Sequence, residues 1–202
     1  MKLYYLTGAC SLASNISLRE AGIPFEAVKV ERPAWRTADG LDYTQINPKR
    51  VVPALALDNR EILTENVAVL PYIADRNPAA KLIPPAGSME RYRLLEWLGF
   101  INSDVHRSFS VLFRKDTPPE TREAARGTLE RHLGYLERAI GARTFLMGEQ
   151  FTVVDAYLFT VLSWSSRVDI DLARWPALKR YVERIRQRPN VVAALQSEGL
   201  LK

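Results

Sequence analysis

The pattern of the sequence changes at a proline-rich stretch near residue 80. Before it, short apolar strand patterns alternate with helical ones, whereas every periodic segment after it is helical. The stretch itself, NPAAKLIPPAGS at 77–88, contains three prolines and has little periodicity, which is typical of a linker. The sequence therefore predicts two domains, at 1–77 and 88–202, joined by a linker at 78–87.

The first domain is predicted to be a small α/β sandwich, because strand and helix patterns alternate in it. Its predicted elements are strand 2–6, helix 10–22, strand 25–30, a hairpin of strands 51–58 and 61–64, and helix 65–77. The second domain is predicted to be all-helical. Its predicted helices are 88–114, 119–147, 153–168, 175–187 and 191–198.

One helix of the second domain is expected at its centre. Thr152 and Asp155 have the spacing of a capping box, and the residues that follow, AYLFTVLSW, are apolar on almost every side. A helix that is apolar all round is buried. We therefore expect Tyr157 and Trp164 to belong largely to the core of this domain.

The composition is that of an ordinary globular protein, with 47% hydrophobic and 25% charged residues among 202. The net charge of +5 lies beyond residue 77, where arginines alternate with glutamates. This mixture is typical of solvated helix faces and argues against nucleic-acid binding. No apolar run reaches about 18 residues, so we expect no membrane span. A single cysteine fits a reducing compartment, here the cytoplasm.

The single cysteine lies in LTGACSLAS, where a strand pattern gives way to a helix pattern. The first amides of a helix lack internal partners and stabilise negative charge, and the Ser11 hydroxyl is adjacent. This position predicts a reactive Cys10 thiol with a lowered pKa. The alternative is a small buried apolar residue, which is how free cysteines usually behave. Tyr5, at the end of the first strand, is a second candidate for thiol activation.

Two further segments carry chemistry. In VVPALALD, Pro53 stands where a strand begins, and a cis Val52–Pro53 bond would turn the Val52 backbone toward solvent. In LTEN, Glu65 and Asn66 open a helix. They either complement the helix dipole or bind a ligand that carries both an ammonium and a carboxylate. His106 and His132 are the only histidines, so no zinc site is expected, and we expect His132 to be exposed.

Taken together, these segments resemble the glutathione transferases, and most closely the bacterial beta class, which has a cysteine where other classes have Tyr or Ser. Seven motifs match in order along the whole chain: MKLYY…G-CSL, INPK…VP, LTE, ERY…EWL, F-T-V-x-DAYLF, RPNV and EGL. The resemblance implies a thioredoxin-like N-terminal domain, a helical-bundle C-terminal domain and a cis Pro53. It also implies a homodimer that uses glutathione as co-substrate without a metal.

The resemblance further implies site residues. Catalysis would use Cys10, Ser11 and Tyr5, with Cys10 facing the glutathione sulfur. The implied glutathione contacts are Cys10, Trp35, Val52, Pro53, Glu65 and Asn66, together with Ser103, Asp104 and His106 from the neighbouring subunit. The implied second-substrate residues are Phe109, Phe113 and Trp164. Ser103 and His106 are three residues apart, so a helix would place them on one face.

The implied function is conjugation or exchange of the glutathione thiol with an apolar electrophile, in detoxification. Some residues depart from the family pattern near the expected site: Trp35 replaces a common lysine, and Arg50, Asn66 and Gly99 also differ. These departures keep open an alternative function, a non-catalytic protein of the same fold that binds hydrophobic ligands or protein partners.

Overall fold

The first strand, β1 (Lys2–Tyr5), is the middle strand of a mixed sheet in the computed structural model, which describes residues 1–201. It pairs in parallel with β2 (Glu26–Glu31) and antiparallel with β4 (Ala54–Ala56). β2 pairs antiparallel with β3 (Arg36–Thr37), and β4 pairs antiparallel with β5 (Ile62–Thr64), which gives the order β3-β2-β1-β4-β5. The sheet confirms the predicted α/β fold. The sequence does not reveal β3, because two residues are too few to show alternation.

Two helices bury their apolar sides beside this sheet. α1 (Ser11–Glu20) buries Leu12 and Ile16, and it ends before Gly22, whose φ of +64° favours glycine. α2 (Asn66–Arg76) packs against α1 and contains Pro71. The Val52–Pro53 peptide bond is cis, as the resemblance implied, and so is Arg32–Pro33.

The remaining part of the chain up to residue 187 is helical. Its helices are α3 (Met89–Phe100), α4 (Arg107–Phe113), α5 (Pro119–Ile140), α6 (Val153–Leu162) and α7 (Pro176–Arg186). A π-helical segment, Ile101–His106, joins α3 to α4, so the single helix predicted for 88–114 has three parts. The helix predicted for 119–147 ends at Ile140, because Gly141 follows with a φ of +51°. Residues 88–201 contain no strand, as predicted.

α6 is the buried centre of this part of the molecule, as predicted. All ten of its residues are buried. The Asp155 carboxylate accepts hydrogen bonds from the backbone N–H groups of Leu146 and Thr152 and from the Tyr181 hydroxyl, each at 2.8 Å. Burial raises the pKa of Asp155. The capping box predicted from Thr152 and Asp155 is therefore present and lies inside the core.

The contacts divide the chain into two units that do not follow the predicted boundary. The helical unit is Pro84–Gln187, and the N-terminal unit is Met1–Ile83 together with the chain from Arg188 onward. α8 (Pro189–Ser197) packs against α1, and the Arg188 guanidinium donates to both Glu20 carboxylate oxygens at 2.7 and 2.9 Å. The predicted second domain, 88–202, differs here because helical periodicity does not show which unit a helix packs against. No helix within residues 1–201 has the length and apolarity needed to cross a membrane.

Candidate active site

Cys10 caps the N-terminus of α1 and is bonded to two segments distant in sequence. Its thiol donates to the Val52 carbonyl oxygen at 3.1 Å. Its own carbonyl oxygen accepts from the Asn66 side-chain amide at 3.0 Å. The residue is partly exposed. The fold thus brings Val52 and Asn66 within hydrogen-bond distance of Cys10.

The electrostatics of the thiol differ from the expectation. Burial raises the pKa of Cys10 to about 12, and the negative charge of Glu65 also raises it. The backbone N–H groups of Cys10 and Ser11 lower the pKa, which is the effect expected at a helix start, but they do not outweigh burial. The predicted lowering of the thiol pKa is therefore not found: the pKa is raised, and the thiol acts as a hydrogen-bond donor.

The two other candidates for catalysis lie beside Cys10 but have different partners. The buried Ser11 hydroxyl accepts from the Leu6 N–H at 3.3 Å and donates to the Leu6 carbonyl at 3.4 Å. It thus closes the turn that leads to Cys10. Tyr5 is buried, and the pKa of its hydroxyl is raised by burial and by the negative charge of Glu198. A tyrosine with a raised pKa is a weak source of a phenolate for thiol activation.

Trp35 lies against the apolar cluster that contains Val52. Its ring stacks on Tyr43 with centroids 6.0 Å apart, and the Arg32 guanidinium lies 5.3 Å from its ring centroid. The Tyr43 hydroxyl donates to the Val51 carbonyl at 2.7 Å, so Tyr43 supports both Trp35 and the segment before Pro53. Neither Tyr43 nor Arg32 could be predicted in this role, because their contacts depend on how the loop folds.

Glu65 and Asn66 at the start of α2 have distinct environments. The Glu65 side chain is about half exposed (52%) and forms an ion pair with Lys49, and its φ is +70°. Asn66 is buried, and its side-chain oxygen accepts from the Ser14 hydroxyl at 3.0 Å while its amide bonds to Cys10. The Asn66 side chain is therefore used within the protein, and Glu65 is the group that faces solvent. The sequence did not suggest Lys49 as its partner.

In the helical unit, the candidates Ser103 and His106 do not act as a pair. The Ser103 hydroxyl donates to the Gly99 carbonyl at 2.9 Å and contacts the Asp104 carboxylate at 2.5 Å. His106 Nδ1 bonds to the Tyr157 hydroxyl at 2.8 Å, and burial lowers the pKa of His106 to about 4. The two residues lie in the π-helical segment, where the three-residue spacing of an α-helix does not apply.

The aromatic residues proposed for the second substrate do lie together. The Trp164 ring has edge contacts with His106 at 4.9 Å, Phe113 at 5.6 Å and Phe109 at 5.8 Å between centroids. Phe109 and Trp164 are buried, whereas Phe113 is 40% exposed. The cluster offers an apolar surface whose accessible part is Phe113.

A cavity of about 350 Å³ lies elsewhere in the helical unit and was not predicted. Its polar lining residues are Ser103, Asp104, Arg107, Ser108, Thr121, Thr128 and His132. His132 is half-buried rather than exposed, its ring contacts Phe100 at 5.4 Å, and its Nδ1 is buried without a hydrogen bond. Among the described residues, no three His, Cys, Asp or Glu side chains are grouped as metal ligands.

Comparison with known proteins matches both halves of the chain. Residues 8–76 match the model of the glutathione S-transferase N-terminal domain, and residues 100–189 match that of the C-terminal domain. Glutathione S-transferase GstA of Escherichia coli O157:H7 is 44% identical over 200 residues, which are 99% of this chain and 100% of the relative.

Solved structures give the same result. A sphingomonad glutathione S-transferase complexed with glutathione matches with a TM-score of 0.96 and 48% identity, over 99% of this chain and 100% of that one. A bacterial beta-class glutathione S-transferase from Sphingomonas chungbukensis matches with a TM-score of 0.96 and 45% identity, over the full length of both chains.

Proposed function

Because the chain belongs to the glutathione S-transferase family, in its bacterial beta class, we propose that the residues around Cys10 form its glutathione site. The protein is a glutathione S-transferase that uses glutathione as co-substrate. The observation that carries the site is the junction of Cys10, Val52 and Asn66, where a thiol, a backbone carbonyl and a helix start meet within hydrogen-bond distance. The non-catalytic alternative is not favoured, since relatives of high identity are named as enzymes.

In this proposal the Val52 backbone pairs with the cysteinyl part of glutathione, beside Pro53, and the glutathione sulfur lies at Cys10. The Cys10 thiol is protonated, so it can donate a hydrogen bond to the glutathione thiolate once it releases Val52. A charged acceptor forms a stronger hydrogen bond than a neutral carbonyl. The backbone amides at the start of α1 add to this stabilisation, and Ser11 keeps the turn closed. These hydrogen bonds lower the pKa of the glutathione thiol, and the resulting thiolate is the nucleophile.

The γ-glutamyl end of glutathione is assigned to Glu65, whose half-exposed carboxylate would exchange its ion pair with Lys49 for the ligand's ammonium. Asn66 does not bind the ligand in this proposal. Its side-chain amide donates to the Cys10 carbonyl oxygen and so holds the Cys10 backbone in place. We place the glycyl end near Trp35. Its ring offers a stacking surface, and the Arg32 guanidinium beside it offers a positive charge for the carboxylate.

The second substrate is proposed to be an apolar electrophile, consistent with the exposed Phe113 edge of the cluster with Phe109 and Trp164. Its removal would be a detoxification reaction. Conjugation leaves Cys10 unchanged. Exchange of a disulfide at Cys10 is a slower side reaction near neutral pH, because the attacking species is the thiolate and the pKa of Cys10 is raised.

We further propose a homodimer in the cytoplasm. Exposed apolar side chains on α3 and α5, among them Met89, Tyr92 and Tyr135, would be covered by a second copy. The resemblance assigns Ser103, Asp104 and His106 to the neighbouring subunit's glutathione. Asp104 suits an ammonium, whereas His106 already bonds to Tyr157. Light scattering should then give twice the mass of the chain. A single cysteine agrees with a reducing compartment.

Oxidised glutathione tests the place of Cys10. The wild type should gain one glutathionyl group at Cys10, seen by mass spectrometry after digestion, and Cys10→Ser should gain none. Conjugation of an aromatic halide by Cys10→Ser should persist at a reduced rate, because glutathione supplies its own sulfur. Full conjugation and full glutathione affinity in Cys10→Ser, with no adduct on the wild type, would contradict the proposed role.

Glu65→Gln tests the ammonium contact. Glutathione affinity measured by calorimetry should fall by about 1.5 kcal/mol, the lower end for a hydrogen bond to a charged group, since the carboxylate is half exposed. Glu61→Gln is a matched control just before β5, where the carboxylate accepts a hydrogen bond from the Asn59 side-chain amide. Equal affinities of the two variants would remove Glu65 from the site.

A further inference from the structure

The γ-glutamyl end of glutathione carries two opposite charges, and in the proposed site Glu65 accounts for one of them. The ammonium and the α-carboxylate are attached to the same carbon atom, so a matching site needs an anion and a cation side by side. The Asn66 side chain is not available to the carboxylate. It is buried, its oxygen accepts from the Ser14 hydroxyl, and its amide donates to the Cys10 carbonyl.

Lys49 places a cation directly beside Glu65. Its ammonium forms the ion pair with the Glu65 carboxylate and also donates a hydrogen bond to the Thr64 hydroxyl at 2.8 Å. The Lys49 and Glu65 side chains are 49% and 52% exposed, so a ligand can reach both charges. The start of α2 therefore presents an anion and a cation next to each other, which is the arrangement that a zwitterionic group requires.

The loop that carries Lys49 is tied to the segment before Pro53. The Lys49 backbone N–H donates to the Asn47 side-chain oxygen at 3.2 Å, and the Asn47 amide donates to the Val51 carbonyl at 2.8 Å. Asn47 is buried, at 2% exposure. The backbone of Lys49 is therefore held relative to the segment proposed for the cysteinyl part of glutathione, while its flexible four-carbon side chain can turn.

We propose that Lys49 binds the α-carboxylate of the γ-glutamyl residue, and that the pair of Lys49 and Glu65 selects ligands with a zwitterionic amino-acid end. The ligand's ammonium takes the place of Lys49 at Glu65. Lys49 stays at the Thr64 hydroxyl and turns its charge to the ligand's carboxylate. One internal ion pair is thus replaced by two ion pairs with the ligand, and no proton moves. The inference rests on the proposed assignment of the ammonium to Glu65.

A different role for Lys49 predicts a different result. If Lys49 served only to neutralise Glu65, its removal would free the carboxylate and strengthen ligand binding, without changing which ligands are preferred. Under the proposal, its removal also takes away the partner of the ligand's carboxylate. The affinity for glutathione then combines two opposing effects. The preference between ligands with and without that carboxylate is therefore the quantity that separates the two roles.

The experiment is calorimetry of the reduced, full-length protein with three thiols. These are glutathione, 4-aminobutyryl-cysteinylglycine, which lacks the α-carboxylate, and glutaryl-cysteinylglycine, which lacks the ammonium. The wild type should bind each analogue about tenfold more weakly than glutathione, which is about 1.4 kcal/mol. In Lys49→Met the preference over the 4-aminobutyryl analogue should fall to about one, while the preference over the glutaryl analogue remains. Glu65→Gln should show the reverse.

Two further variants are controls for charge and for folding. Arg50→Met removes the positive charge of the next residue, which is exposed on the same loop, and should keep both preferences. Lys49→Gln removes the charge but keeps a polar end, and it should behave as Lys49→Met does, so it serves if that variant fails to fold. Exposed ion pairs contribute little to stability, and the thermal midpoints of the variants should therefore match that of the wild type.

An undiminished preference over the 4-aminobutyryl analogue in both Lys49 variants would overturn the inference. Equal affinities of the wild type for glutathione and that analogue would also overturn it, and so would an equal loss of preference in Arg50→Met. An unchanged preference over the glutaryl analogue in Glu65→Gln would instead count against the proposed ammonium site, and the 4-aminobutyryl comparison would still decide on Lys49.

Discussion

The Cys10 thiol is subject to two opposing effects that act over different distances. The amides at the start of α1 are its immediate neighbours in sequence, and they favour the thiolate. Burial and the charge of Glu65 come from segments more than forty residues away, and they favour the thiol. The first effect could be predicted from the sequence, whereas the second depends on packing that the sequence does not display. The local argument was correct in sign and too small in size.

Alkylation of Cys10 in the free protein should therefore be slow at neutral pH. With the pKa raised to about 12, the thiolate fraction at pH 8 is far below that of a free cysteine, whose pKa is about 8.5. The iodoacetamide rate, followed by mass spectrometry, should keep rising above pH 9 in the folded protein. The chain unfolded in urea is the control and should show the midpoint of an ordinary cysteine. A folded-state midpoint below that of the unfolded chain would contradict the assignment.

His106 should make the free energy of unfolding depend on pH in the acid range. Its pKa is lowered to about 4, so between pH 6.5 and 4 the unfolded chain takes up a proton that the folded chain does not. The free energy of unfolding should then fall with decreasing pH, by about 2 kcal/mol at pH 4.5. Urea unfolding of His106→Gln should lack most of this dependence, whereas His132→Gln, at a less buried ring, should keep it. An unchanged acid dependence in His106→Gln would show that His106 is not the group responsible.

At the scale of elements, local patterns were reliable where the residues of an element by themselves indicate its structure. A core helix was predicted at 153–168 from a capping box and from apolar side chains on every side, and α6 is found at Val153–Leu162. β3 and the π-helical segment Ile101–His106 were not predicted. β3 exists through its pairing with β2, and the π-helical segment lies inside a periodic stretch that reads as one α-helix. Neither is visible in the pattern of its own residues.

Asp155 allows a test at this scale. Asp155→Ala would leave the Leu146 and Thr152 amides and the Tyr181 hydroxyl buried without their acceptor. We expect a loss of about 3 kcal/mol or more in the free energy of unfolding, measured in urea, since each unsatisfied group costs about 1–3 kcal/mol. Asp171→Ala is the control, because Asp171 caps a short exposed turn by accepting from Ala173. A loss no larger than that of Asp171→Ala would contradict a central role for the cap.

At the scale of the whole molecule, the type of each half could be predicted and the membership of its last helix could not. α8 follows α7 after only two residues, and a helical pattern does not show which unit a helix packs against. What assigns it to the N-terminal unit is the pair Arg188–Glu20 and the bond from Gly8 to Glu198. These contacts join residues 168 and 190 positions apart. A local sequence pattern cannot predict hydrogen-bond partners that are so far apart in the sequence.

Native-state hydrogen exchange should reveal this assignment. In low denaturant the amides of α8 should lose protection together with those of α1, because cooperative units follow packing and not sequence order. The amides of α7 should follow those of α5, against which α7 packs. Mass spectrometry of peptides from the four helices gives the comparison. Protection of α8 that followed α7 and not α1 would contradict the division of the chain into these units.

Because the chain returns to the N-terminal unit at its end, the two units are completed in a fixed order during translation. Protein synthesis delivers residues 1–83 first, yet α8 and Glu198 leave the ribosome only after the whole helical unit, Pro84–Gln187. All residues of the helical unit are therefore synthesised while the N-terminal unit still lacks Arg188 and Glu198, which bind Glu20 and Gly8. A nascent chain paused anywhere between codons 84 and 187 carries the thiol but not the carboxylate that holds Gly8.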